Sequence, residues 1–297
     1  MKTKITVFTG CGTALVTPFT ENGLNLPAFG RLIDWQIENR ADALIVCGTT
    51  GEPATMTEAE RDQAIGFAVE RAGGRAPVVA GIGGNVTGHV VAAAKRAQSL
   101  GADALLAVTP YYNKTTQAGL VAHFTAAADA TPLPMILYNV PARTGLNMTP
   151  ATLDQLADHP RIAAVKEASG DIVQITEIFR TCHDRLAVYS GNDDHIVPFL
   201  GLGGEGVISV VSNVCPRETH DLVAAFHAGD LQVSRELQFK LNPLTQALFC
   251  EVSPIPVKTA LNLMGMQAGP LRLPLVPMQP ANRQRLELAM QALGLLP

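Results

Sequence analysis

At 297 residues the chain could hold two average domains or one α/β barrel, and with 47% hydrophobic and 16% charged residues it can build a large core. A net charge of -4 without a basic stripe argues against nucleic acid or anionic membranes as partners. No apolar run reaches the roughly 18 residues of a membrane span, and Gly10 and Gly12 interrupt the stretch after Met1-Lys2-Thr3-Lys4, so no signal peptide is read.

Eight short apolar runs appear in order, at 12–17, 43–47, 77–81, 104–109, 134–138, 162–166, 186–190 and 206–211. They are apolar throughout rather than alternating, which fits parallel strands covered on both faces. Helix signals fill the gaps. Leu26-Pro27 opens one helix, with Phe29, Ile33 and Ile37 four residues apart. Thr57-Glu-Ala-Glu60 has the capping-box pattern, with Gly73-Gly74 as the stop. A third helix follows Thr87 and ends at Gly101. Eight β/α units in series predict an α/β fold, a (β/α)8 TIM barrel over residues 1–224; an open doubly wound sheet shares the local pattern and ranks second. Residues 225–297 read as a C-terminal helical extension, interrupted by Pro274, Pro277 and Pro280.

One motif is set aside. Gly201-x-Gly203-x-x-Gly206 matches the dinucleotide-binding fingerprint letter for letter, but it follows a helix and precedes a strand, the reverse of the required order. It reads as a turn into the eighth strand. The five cysteines, Cys11, Cys47, Cys182, Cys215 and Cys250, show no C-x-x-C pair and no zinc spacing, as buried thiols of a reducing cytoplasm would. No metal site and no cofactor are expected.

Lys166 ends the apolar run Ile162-Ala-Ala-Val-Lys166. A buried lysine loses the solvation of its ammonium, so its pKa falls toward neutrality and the free amine becomes a nucleophile toward ketones. The competing reading is a lysine whose head snorkels out at a strand end. In a barrel, catalytic groups sit at the carboxyl ends of strands, and those positions hold a coherent set. Thr49 and Thr50 beside Gly48 and Gly51 offer hydroxyls and open backbone N–H groups to a small carboxylate, although the same letters suit an ordinary turn. Tyr138, Tyr112 and Thr50 can relay protons, and Arg143 offers a fork for a second carboxylate. The tyrosines could instead be rim packing and the arginine a surface residue, but their joint occurrence at successive strand ends favours a site.

The segments Gly48-Thr-Thr-Gly-Glu52, Tyr138-Asn-Val-Pro-x-Arg143-Thr-Gly145, Val165-Lys-Glu-Ala-Ser169 and Gly206-Val-Ile-Ser209 resemble, in order and over essentially the whole chain, the dihydrodipicolinate synthase family. That family sits in the class I aldolase group together with N-acetylneuraminate lyase. The resemblance implies that Lys166 forms a Schiff base with pyruvate, that Thr49 and Thr50 hold its carboxylate, and that Tyr138 is the central acid/base. Tyr138 would relay protons through Thr50 and through Tyr112 lent by a neighbouring subunit. Arg143 would hold the carboxylate of L-aspartate 4-semialdehyde, and Gly191 and the carbonyl of Ile208 would shape the pocket. It further implies a cytoplasmic homotetramer built from dimers that makes 4-hydroxy-tetrahydrodipicolinate for lysine and diaminopimelate synthesis. A pyruvate-dependent aldolase acting on a 2-keto-3-deoxy sugar acid is the alternative, and a keto-acid-binding barrel without turnover a remote one.

The chain departs from the family pattern in places. Asn192 replaces an aspartate in Ser190-Gly191-Asn192-Asp193, and Pro53 follows Glu52. His89 stands where lysine-inhibited relatives carry an acidic residue, and Arg61 where they often carry a neutral one or histidine. Cationic groups facing a cationic effector weaken its binding, so weak or absent feedback by L-lysine is expected despite Asn85 and Tyr111.

Overall fold

All eight apolar runs form strands, and the strands close on themselves. The computed structural model describes residues 3–296, so Met1 and Lys2 of the charged start, and Pro297, lie outside it. The strands are β1 (Gly10–Ala14), β2 (Ala43–Val46), β3 (Val78–Gly81), β4 (Ala104–Val108), β5 (Met135–Asn139), β6 (Ile162–Glu167), β7 (Ala187–Ser190) and β8 (Gly206–Ser209). Each pairs in parallel with the next, and β1 pairs with β8, giving a closed barrel. The open-sheet reading is excluded.

Two strands, β1 and β8, stop two or more residues short of the ends of their apolar runs. Past Ala14 the side chain of Asn213 takes over as partner: its amide donates to the Ala14 and Val210 carbonyls at 2.8 and 3.1 Å, and its oxygen accepts the Val16 N–H at 3.2 Å. Leu15 still donates its N–H to the Ile45 carbonyl at 3.0 Å, while residues 16–17 and 210–211 leave the ladder and remain buried.

The barrel helices are α1 (Leu26–Glu38), α2 (Glu58–Ala72), α3 (Thr87–Ser99), α4 (Gln117–Asp129), α5 (Pro150–Ala157), α6 (Ile172–Cys182), α7 (Ile196–Gly201) and α8 (Pro216–His227). Asn25 caps α1 by accepting the Ala28 N–H. The capping box of α2 is complete, and Gly73 ends that helix in the left-handed conformation. Gly203 and Gly206, both at positive φ, carry the chain from α7 into β8, as the reversed glycine motif predicts.

Three more helices follow, α9 (Leu231–Leu248), α10 (Ile255–Leu263) and α11 (Pro280–Ala292), with the proline-rich segment 264–279 between the last two free of regular structure. Position 225 falls within α8. Among the described residues no helix is long and apolar enough to cross a membrane.

Buried side chains divide into two groups, as expected for a barrel inside a ring of helices. One fills the space between strands and helices; the other lines the interior with Ala14, Ile45, Leu106, Ile136, Tyr138, Ala164, Tyr189 and Ile208. Phe8 belongs to the interior group and stacks on Tyr189, with ring centroids 4.4 Å apart. Gly12 makes room for it, since a Cβ there would stand 2.6 Å from the Phe8 ring.

Candidate active site

Side chains alternate along a strand, and Lys166 shares parity with Ile162. Ile162 packs outward against the helices, which would send Lys166 the same way. It does not go there, because β6 carries one extra residue. Met135 pairs with Ile162 but Ile136 with Ala164, so Ala163 is bulged and the alternation inverts. Beyond the bulge Ala164 joins the interior, Val165 the outer layer, and Lys166 turns inward beside its register partner Tyr138.

Lys166 is 5% exposed and Tyr138 6%, and the ammonium lies 4.3 Å from the centroid of the Tyr138 ring. Burial is the main cause that lowers the Lys166 pKa to about 8; the charge of Arg143 helps and the carboxylate of Asp193 opposes. The snorkelling alternative therefore fails. Burial also raises the Tyr138 phenol, against the pull of Arg143 and of a hydrogen bond with Thr49.

The loops at the mouth supply the rest. After β2, Thr49–Gly51 form a single 3-10 turn with Thr50 buried and Thr49 exposed. After β5, a one-turn helix, Pro141–Thr144, carries the exposed Arg143. Gly191 follows β7 and has to be glycine, because a Cβ would meet Ala168 at 2.6 Å and the Lys166 Cε at 3.2 Å. Ile208 is fully buried in β8.

Tyr112 stands apart. The residue is 91% exposed, while its backbone sits at φ 63, an uncommon conformation for an aromatic residue. Cys47, Glu52, Tyr112 and Lys114 are four of the six non-glycine residues at positive φ among the described residues, and all lie in the loops after β2 and β4. Backbone strain of this kind gathers at functional sites.

Three residues drew no role in the reading of the sequence, although Glu167 and Asp193 stood in its strand-end motifs; only Lys258 lay outside them. Asp193 is 3% exposed; its Oδ2 accepts the N–H groups of Val210 and Val211, each at 3.0 Å, while Oδ1 is buried without a hydrogen-bond partner among the described residues. Burial raises its pKa, against the Ser209 hydroxyl, the two backbone donors and the Lys166 charge. Glu167, fully buried, accepts from the Asn139 amide at 2.9 Å and the Ser169 N–H at 2.7 Å, tying β5 to β6. Lys258 of α10 reaches Glu52 at 2.8 Å. The signal for Lys258 was present: a lysine on the apolar face Ile255, Val257, Ala260 and Leu261 needs a partner.

Comparison with known proteins settles the family. The model of the dihydrodipicolinate synthetase family matches residues 7–293. The chain belongs to this family. A 4-hydroxy-tetrahydrodipicolinate synthase of Thermoanaerobacter sp. (strain X514) is 54% identical over 291 residues, 98% of each chain. Among solved structures, a dihydrodipicolinate synthase from Thermotoga maritima is 45% identical, covers 98% of this chain and 100% of its own, and superposes with a TM-score of 0.96. One from Cyanidioschyzon merolae, with lysine bound, is 42% identical over 98% of this chain and 100% of its own, with a TM-score of 0.95. The resemblance read from four short motifs thus holds over residues 7–293 of the chain.

Proposed function

We infer that this chain is a 4-hydroxy-tetrahydrodipicolinate synthase, a Schiff-base lyase that joins pyruvate to L-aspartate 4-semialdehyde at the entry to lysine and diaminopimelate synthesis. The observation that carries the reading is Lys166, buried against Tyr138 in a barrel of this family. With a pKa of about 8, about half of its amine is neutral at pH 8, against roughly 0.3% for an unperturbed lysine.

The neutral amine attacks C2 of pyruvate, and loss of water from the carbinolamine leaves an imine. Removal of a C3 proton gives the enamine, with the imine nitrogen as electron sink. Enamine C3 then bonds to the aldehyde carbon of the second substrate, whose oxygen takes up a proton. The substrate's own amine displaces Lys166 from the imine carbon, closing the ring and freeing the lysine. One water leaves overall. Thr49 and Thr50 hold the pyruvate carboxylate, and Tyr138 passes protons through Thr50 and through Tyr112 of a neighbouring subunit. Arg143 takes the second carboxylate, while Gly191 and the Ile208 carbonyl bound the pocket. The exposure of Tyr112 supports its being lent across an interface. A homotetramer built from dimers belongs to the same reading. So does division of the chain near residue 225 into a catalytic barrel and a helical region, as does a cytoplasmic location, which the five unpaired cysteines support.

The test is a coupled assay with pyruvate and L-aspartate 4-semialdehyde, run beside Lys166→Ala. Turnover that disappears in the variant is the expected result. No turnover in the unmodified enzyme would refute the substrate assignment.

A further inference from the structure

We propose that Lys258 is a positioning residue: through its buried bond to Glu52, the C-terminal helix α10 fixes the Thr49–Gly51 turn in the geometry that holds the pyruvate carboxylate. The proposal rests on the reading of Thr49 and Thr50 as that carboxylate's ligands.

Glu52 ends the turn. It sits in the left-handed conformation, its N–H returns to the Thr49 carbonyl at 3.1 Å, and its own carbonyl accepts the Thr55 hydroxyl at 3.0 Å. The two side chains of the pair are each 1% exposed. The Lys258 ammonium donates to Glu52 Oε1 at 2.8 Å and to the Pro270 carbonyl at 2.7 Å, and lies 4.4 Å from the centroid of the Phe19 ring. Glu52 Oε2 accepts the Arg272 N–H at 3.2 Å, and the Arg272 guanidinium covers the other part of the cluster, 4.0 Å from Phe19. On the barrel side, the Thr17 hydroxyl donates to the Gly51 carbonyl at 2.7 Å. The turn is therefore clamped between β1's following segment and a helix 206 residues further along the chain.

A buried ion pair is weak evidence of stabilisation, because well-packed apolar residues often do as well. What it adds is direction. A pair with two further hydrogen bonds fixes one orientation of the Glu52 side chain, and with it the residue that closes the turn. An apolar contact would tolerate several. Such fixation matters where hydroxyls and N–H groups have to meet a carboxylate within a few tenths of an ångström.

The test compares Lys258→Met, the double variant Glu52→Gln/Lys258→Met, and Thr50→Ala. The single lysine variant leaves a buried carboxylate uncompensated and is expected to melt early. The double variant removes both charges and keeps an acceptor for the Arg272 N–H, so its melting temperature is expected to recover. Its pyruvate KM is nevertheless expected to rise by about 10-fold, the loss of one hydrogen bond to a charged group, with the KM for the aldehyde within about 2-fold of the unmodified enzyme. A double variant with unchanged pyruvate KM, or with both KM values raised together, would overturn the proposal. So would failure of the double variant to fold, since the pair would then serve the fold itself. Thr50→Ala separates the two levels. If it leaves pyruvate KM unchanged, the carboxylate assignment fails; if it raises KM while the double variant does not, the fault lies with the role given to Lys258.

Discussion

At Lys166 two charges of opposite sign face one buried amine. Burial and Arg143 lower its pKa to about 8, and Asp193 raises it. Imine formation needs the neutral amine, so its rate should climb with pH through about 8 and level off above. Replacing Arg143 with alanine removes a cation, which should move this rise to higher pH; Asp193→Asn should move it to lower pH. A change of ~1 kcal/mol in either interaction alters the rate at pH 7, about 5-fold slower for the first variant and about 4-fold faster for the second. Borohydride quenching of the enzyme with pyruvate alone reads this step apart from the aldehyde; shifts in the reverse directions would contradict the charge assignment. Of the two residues that bear on feedback, His89 is exposed on α3 and Arg61 is half-buried, its Nη2 donating to the Met56 carbonyl at 3.3 Å. Neither offers a carboxylate to a cationic effector. L-lysine at about 1 mM should therefore leave more than half of the activity; half-maximal inhibition below that concentration would show that other residues bind it.

The starts and stops of α1, α2 and α3 lay near signals in the sequence. The α2 capping box is present in both directions, with the Glu60 N–H donating to Thr57 Oγ1 at 3.2 Å and the Thr57 N–H to Glu60 Oε2 at 2.9 Å. Thr57→Ala should cost about 1 kcal/mol in chemical denaturation without altering pyruvate KM, because the cap lies beyond the residues that close the carboxylate turn. A raised KM in this variant would show that the turn depends on the helix start. Strand interiors were legible for the reason that runs covered on both faces are apolar throughout. That same uniformity hid the bulge at Ala163: with apolar letters on both faces, nothing in Ile162-Ala-Ala-Val165 marks where the alternation inverts. The sequence placed Lys166 at the correct strand end but could not say which way it pointed. Glu167 and Asp193 stood at strand ends but drew no role, because Asn139 and the Val210 and Val211 N–H groups that hold them lie on other elements. Lys258 was marked by its apolar helix face, but a pairing across 206 residues leaves no local pattern that names its partner.

For the whole molecule, the telling residue is Tyr112, which projects a nearly fully exposed side chain from the loop after β4 on a backbone at positive φ. In the proposed assembly Tyr112 is a relay residue lent by a neighbour, which would make assembly part of catalysis. Tyr112→Phe should lower kcat by about 10²-fold while the protein still sediments at four times 31.4 kDa. Mixing Tyr112→Phe with Lys166→Ala chains should restore about a quarter of normal activity, because each mixed dimer contains one complete site. If Tyr112 instead served its own chain, the mixture would be no more active than its parents.

The account depends above all on which amine meets pyruvate. Borohydride reduction in the presence of pyruvate, followed by peptide mapping, should place a single pyruvate-derived adduct on Lys166 and none on Lys258 or the surface lysines. An adduct at another lysine, or no adduct at all at a pH above 8, would contradict the Schiff-base mechanism and the site built around it.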